Sequence, residues 1–355
     1  MTAAAHHHRA SMRRPDARLV MLSLLLLLGA AVVLSAAIGS AGIPLHRLAA
    51  LIGLAAPDPA TIDRDALVLW SIRLPRIALA AMVGALLAAS GAMMQGLFRN
   101  PLADPAMVGV SSGAAFAAAV AIVVVDRFAG AGAIPFGLLP PAALIGALIT
   151  TAALYRLATR HGQTSIAIFL LGGLAIAALT NAGIGFLVFM ADDRQLRDIT
   201  FWLLGSLGGA TWHKAAIVLP FLIATAAGMP LIARGLDLLA LGESEAFHMG
   251  VSVERLKRLS ILLVAAAVGA AVAFCGIVGF VGIVVPHLLR LMIGPGHRLL
   301  LPASMLLGGA MLLAADSAAR TLAAPAELPI GIVTAIVGAP FFLVLLLRQR
   351  TLVGL

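Results

Sequence analysis

Metal, thiol, hydroxyl and carboxylate chemistry each need particular residues at particular spacings, and this 355-residue chain offers only a few candidates. His6, His7 and His8 stand side by side, where three imidazoles can take a metal ion or a haem iron. The remaining histidines and the single cysteine, Cys275, form no zinc-type spacing, and no HExxH occurs. The GVSSG of residues 109–113 has the spacing of a nucleophile elbow, but that serine works only on a turn from strand to helix. Set in an apolar run, the same small residues serve close packing instead. Lys214 and Lys257 follow His213 and Leu256, whereas a phosphate-cradling loop ends in Gly-Lys-Ser/Thr. A proton relay would want a carboxylate in the middle of an apolar run. Asp316 and Glu327 lie at the ends of such runs. The expectation is a chain with no catalytic residue and no cofactor of its own.

The elements that carry these residues are set by composition. Sixty-two per cent of the residues are hydrophobic and 11% charged, against roughly 25% charged in a soluble domain. That excludes a soluble or disordered chain and leaves an integral membrane protein, in which 36 glycines fit closely packed helices. Arginine supplies 22 of the 24 basic residues, mostly between apolar runs. The formal charge of +9 therefore reads as orientation of membrane loops rather than nucleic-acid binding. The first run, residues 19–46, is longer than a signal-peptide core and is taken as a first span.

About 20 apolar residues cross a bilayer as a helix. Windows free of formal charge cover residues 19–46, 77–98, 105–125, 128–155, 161–191, 215–233, 259–289, 299–315 and 328–347. The window 259–289 contains Gly276, Gly279, Gly282 and Pro286, which permit a tight re-entry. Counted as one span with a cytoplasmic N-terminus, it leaves 12 Lys and Arg on each side of the membrane. Counted as two, it gives 15 inside and 9 outside, which obeys the positive-inside rule. The expectation is an all-α membrane protein of ten transmembrane helices with both termini cytoplasmic. Its single domain runs over residues 19–348, between cytoplasmic tails at 1–18 and 349–355. Trp70, Trp202 and Trp212 then gather at the outer interface. Residues 234–258 form the longest hydrophilic insertion and read as two short surface helices around a Gly-Glu-Ser turn. They would rest on lipid or dock a cytoplasmic partner.

Four segments in order, FRNPLADPAMVGVSSGA (98–114), LDLLALGESEAFHMGV (236–251), GFVGIVVPHLLRLMIGPGHRLLLP (279–302) and ADSAARTLAAPAELPIGIVTAIVGAPFF (315–342), closely resemble the permease family of bacterial ABC importers for iron-siderophores, haem and cobalamin. The resemblance runs from about residue 70 to the end and is nearest to the haem permeases. It implies a homodimer in the inner membrane with a translocation path along the dimer axis. Two separate ATPase subunits, carrying ATP and Mg, dock on the cytoplasmic side and a periplasmic binding protein docks outside.

Three groups of residues carry over from that resemblance. Arg73, Arg76 and Arg320 match basic positions that receive carboxylates of the binding protein, a task suited to the guanidinium fork. Leu241, Gly242, Glu243, Ser244, Glu245, Ala246 and Phe247 match coupling helices that sit in ATPase clefts. Thr164 and Ser165, with Gly172 and Gly173 on the helix that follows, match the inner constriction of the path, and Ser165 equally suits an N-cap. Met93, Met94, Met107 and Met190 are available to line an apolar path for a large iron compound. The expected cargo is haem, with an iron-siderophore or cobalamin as the alternatives. An ion-coupled carrier is the reading from another class, opposed by the lack of midplane carboxylates.

Overall fold

Glycine and alanine recur along the apolar runs of this chain, so helices built from them approach until backbone meets backbone. The computed structural model describes residues 16–39, 43–56, 58–125, 136–324 and 326–353. His6 to His8 and most of the expected N-terminal tail lie outside them, as do the last two residues of the expected C-terminal tail. The order of the helices is α1 (Ala17–Ala37), α2 (Leu45–Leu51), α3 (Ile62–Leu67), a π-helical turn Val68–Arg73, and α4 (Leu74–Leu97). A 3₁₀ turn Pro105–Val108 leads into α5 (Val110–Val120), which continues through the π-helical Ala121–Val125. Then come α6 (Leu139–Ala158), a hairpin of β1 (Thr159–Arg160) and β2 (Gln163–Thr164), α7 (Ile166–Met190) and α8 (Asp193–Leu204). The chain ends with α9 (Trp212–Leu239), α10 (Glu243–His248), α11 (Val253–Cys275), α12 (Val281–Ile293), α13 (His297–Leu322) and α14 (Ile330–Val353).

Among the described residues, seven helices are long and apolar enough to cross a membrane, and three shorter apolar ones accompany them: Val110–Val124, Val281–Ile293 and Ile330–Leu345. The protein is an all-helical bundle, and α4 is its axis, packed on α9, α11, α12 and α13. Close approach explains that position. A side chain at Gly84 would collide with the carbonyl of Gly308 on α13, and one at Gly91 with the carbonyl of Gly282 on α12. The same small-residue contact joins Gly113 of α5 to Gly146 of α6.

The apolar window 259–289 is two helices. α11 stops at Cys275, Gly276 takes φ +69°, and five non-helical residues precede α12. Gly279 lies in that break, whereas Gly282 and Pro286 lie inside α12, where the Gly282 carbonyl that the proline cannot bond accepts from Gln95 Nε2 at 3.2 Å.

The segment 234–258 corrects the expectation of two short helices. Leu236 to Leu239 continue α9 past Arg234 and Asp237 without a break, because both charged side chains sit at the end of a helix already well formed. Residues from Val253 onward already belong to α11, so only Glu243–His248 is a separate helix. The amphipathic α8, started by a capping box between Asp192 and Gln195, has no counterpart among the apolar windows because its pattern is too polar for a span. Met93 and Met94 are fully buried against neighbouring helices of the same chain, which removes them from any path surface, whereas Met107 and Met190 are exposed.

Candidate functional site

At one end of the bundle the C-terminus of α1, the N-terminus of α4 and the C-terminus of α13 meet, and the three predicted arginines come together there. Arg76 grips Asp316 with Nε (3.0 and 3.1 Å) and Nη2 (2.9 Å), while its Nη1 donates to both oxygens of Glu327 at 2.9 and 3.0 Å. Arg320, one turn beyond Asp316 on α13, lies 3.1 Å from its Oδ2. It donates to the Ser35 hydroxyl at 2.8 Å and to the carbonyls of Ser35 and Ile38. Arg73 donates to the carbonyl of Ala36. The last carbonyls of a helix carry partial negative charge and lack intrahelical partners, so two guanidinium groups finish α1. Burial follows: Arg73 is 4% exposed, Arg320 9% and Asp316 1%. The structure thus brings Arg73, Arg76 and Arg320 into one cluster and gives each a partner within the chain. Glu327, half exposed, is its outward face.

The three tryptophans share this end, where Trp212 Nε1 donates to the carbonyl of Trp70 at 2.9 Å. Nearby, a cavity of about 220 Å³ is lined by Arg194, Asp198 and Trp202 of α8, Lys214 of α9 and Phe274 of α11.

The opposite end holds the hairpin, the start of α7 and the short α10. The hairpin closes through His161 at φ 52° and Gly162 at φ 76°, the paired positive angles of a two-residue turn. Thr164 is buried; its hydroxyl lies 3.0 Å from that of Thr159. Ser165 caps α7 by accepting from the Ile168 N–H. The Thr164 N–H donates to Glu254 Oε2 at 3.0 Å, and its carbonyl accepts from Lys257 Nζ at 3.0 Å. Lys257 Nζ also donates to Glu254 Oε1 at 3.1 Å and to Glu243 Oε2 at 2.8 Å. The hairpin, α11 and α10 are therefore held by one ammonium group. Gly172 and Gly173 do not reach this cluster. A side chain at Gly172 would press on Leu154 of α6, and one at Gly173 would collide with the carbonyl of Met107, so both serve packing of α7 within its own chain.

Around α10 the apolar side chains point away from the bundle. Leu241 is 63% exposed and Phe247 68%, with Ser244 and Glu245 exposed beside them, while Ala246 is buried against the bundle. Gly242 turns the chain between α9 and α10 at φ +135°, a backbone angle that side chains oppose. Behind it, Asp237 near the end of α9 accepts from the backbone N–H of His297 at 2.8 Å and pairs with its Nδ1 at 2.7 Å, tying α9 to the start of α13.

Sequence reasoning missed the acidic and basic partners in both clusters. Asp316 and Arg320 are four apart, the spacing of a helical ion pair, and that signal was available. Nothing local to Lys257 marks it as the partner of Thr164, 93 positions away. Among the described residues no group of histidine, cysteine, aspartate and glutamate is arranged to hold a metal ion.

The sequence matches the FecCD transport family over residues 24–348. The chain belongs to that family. The hemin transport system permease protein of Yersinia pestis is 46% identical to this FecCD protein over 291 residues, covering 79% of this chain and 84% of the relative. The cobalamin import system permease protein of Halobacterium salinarum is 46% identical over 312 residues, covering 88% and 81%. A solved structure described as an inward-facing conformation of a metal-chelate type ABC transporter shares the architecture with a TM-score of 0.81 at 34% identity, covering 93% of this chain and 99% of the other. The FecCD protein is accordingly a multi-pass inner-membrane permease of an ABC importer.

Proposed function

We propose that the chain is one half of a homodimeric permease of ten transmembrane helices, with both termini in the cytoplasm, that carries haem inward. ATP is hydrolysed with Mg on two separate ATPase subunits docked beneath it. The observation that carries this reading is the exposed apolar pair of Leu241, in the turn before α10, and Phe247, on that six-residue helix, whose other face is fixed to the bundle. A surface helix that only rested on lipid would need no such fixing, whereas a helix seated in a partner's cleft must transmit force. Leu241 to Phe247 are the contact with the ATPase. Thr164 and Ser165, at the same end, form the inner gate, with Gly172 and Gly173 allowing α7 to stand close behind it. Arg73, Arg76 and Arg320 form the outer platform for a periplasmic binding protein.

Haem is the first reading of the cargo because the hemin permease of Yersinia pestis is among the relatives; cobalamin is the second, carried by the Halobacterium salinarum relative at equal identity. The experiment is uptake into proteoliposomes holding the permease, its ATPase and its binding protein, offered haem, cobalamin or a ferric siderophore. ATP-dependent accumulation of haem is expected. Accumulation driven by an ion gradient without the ATPase would make the protein a secondary carrier. For topology, cysteines at Arg160 and Arg298 should react with an impermeant thiol reagent from the cytoplasmic side only. Labelling of Arg298→Cys from outside would return the count to nine spans.

A further inference from the structure

An ammonium group has three N–H donors, and Lys257 uses all three on acceptors from three different elements: the Thr164 carbonyl of the hairpin, Glu254 of its own helix α11, and Glu243 at the start of α10. The side chain is 3% exposed, so no water shell replaces a contact that is lost. Glu254 in turn accepts from the Thr164 N–H, so that both backbone polar groups of Thr164 are held by the Lys257–Glu254 pair. The next residue, Ser165, caps α7.

We propose that Lys257 is a positioning residue that links α10 to the start of α7, so that displacement of α10 moves Thr164 and Ser165. This rests on the reading of α10 as the ATPase contact. Glu243 is the movable end: its side chain is 40% exposed and belongs to a helix held to α9 through the turn at Gly242. Glu254 and the Thr164 carbonyl are the fixed end. When a partner shifts α10, the ammonium either follows Glu243 and draws on the Thr164 carbonyl, or gives up Glu243 and keeps only the acceptors at the hairpin. These are two discrete arrangements of one buried charge, the kind of two-state element that coupling between sites requires. A residue that merely glued the fold would need no acceptor on α10. An arginine or a shorter side chain would not place one charge at the meeting point of all three acceptors.

The test uses the complete transporter in proteoliposomes, with Cys275 replaced by alanine, Gln163→Cys on the exposed hairpin as a reporter, and Phe247→Cys as a separate crosslinking probe to the ATPase. In the parent, trapping the ATPase with ATP and vanadate should change the rate of maleimide labelling at Gln163→Cys several-fold. Lys257→Met should abolish that nucleotide-dependent change and the uptake of haem while ATP hydrolysis persists. Lys257→Arg should restore part of the change. Should Lys257→Met fail to assemble, Glu243→Ala removes only the α10 acceptor and should abolish the same response. A response that survives in an assembled Lys257→Met or Glu243→Ala transporter, with the Phe247→Cys crosslink formed, overturns the link alone. Failure of that crosslink in the parent overturns the ATPase contact and the link with it.

Discussion

Arg76 and Asp316 face each other across 240 positions of sequence, with both nitrogens of one edge of the guanidinium on the carboxylate at 2.9 to 3.1 Å. The pair joins the first turn of α4 to the last turns of α13, and Asp316 is almost wholly enclosed. Removing one partner of a buried pair leaves the other charge uncompensated, at a cost of about 3–5 kcal/mol. Asp316→Asn should therefore lower the melting temperature of the detergent-solubilised protein markedly. Glu327→Gln, at the exposed side of the same arginine, should change stability by less than about 1 kcal/mol. Equal effects of the two would show that the buried bond does not hold these helices.

The same geometry shapes the docking role of the cluster. Glu327 occupies the Nη1 edge of Arg76, so a carboxylate arriving from a binding protein competes with it. Glu327→Gln should raise the association rate of the loaded binding protein at low salt, with the gain disappearing as salt screens the field. Stopped-flow or surface capture reads this directly. An unchanged rate would leave the arginines as ties between helices of their own chain and nothing more.

Helix packing around α4 makes a paired prediction. A methyl group at Gly91 would overlap the backbone of Gly282, whereas at Gly185, on α7, nothing lies within 4 Å. Gly91→Ala should force α4 and α12 apart, costing about 1–3 kcal/mol or more, and reduce the yield of folded protein. Gly185→Ala should be neutral in the isolated chain. If Gly185→Ala instead blocks dimer formation, that face of α7 is occupied by a second copy.

At α10 the expected outcome is loss of function without loss of assembly. Val at position 242 must adopt φ near +135°, a strain of roughly 1–3 kcal/mol, and the turn that presents Leu241 and Phe247 shifts. Gly242→Val should leave the permease in the membrane but remove stimulation of ATP hydrolysis by the loaded binding protein. A variant that is still fully stimulated and transports normally would detach α10 from coupling.

The architecture was legible where one physical rule dominates. Charge-free windows located the long helices, and the charge balance divided residues 259–289 into two spans, where the structure has two helices. The rule failed where charge and helix coexist: Arg234 was read as the end of a span although α9 runs on through Asp237 to Leu239. It failed again at α8, whose amphipathic face is no longer a membrane signal. The candidate residues at positions 73, 76 and 320 came from a resemblance and were found together. Their partners stayed hidden because the pairs are brought together by helix packing, as are Thr164 with Lys257 and Asp237 with His297. Met93 and Met94 were misjudged for the same reason, since an apolar side chain looks alike in sequence whether it faces a path or a neighbouring helix.

The break between α11 and α12 sets a limit on where lipid can reach. α12 has 13 residues, about 20 Å at the helical rise, and a hydrocarbon layer is about 30 Å thick. The five residues before it are non-helical, and hydrocarbon offers no hydrogen bond to exposed peptide groups. Some of those needs are met within the chain: the Gly276 N–H donates to the Val272 carbonyl at 2.8 Å, and the Gly279 carbonyl accepts from the Val281 N–H at 2.9 Å; beside them the Ser206 N–H donates to the Cys275 carbonyl at 2.8 Å and the Ile330 N–H to the Gly205 carbonyl at 3.0 Å. Three separate stretches of chain therefore meet around this break. Any of its peptide groups left without a partner needs water rather than hydrocarbon beside it, so a bilayer around this protein would have to leave the break wet, and α12 would then have less than a full hydrocarbon thickness to cross.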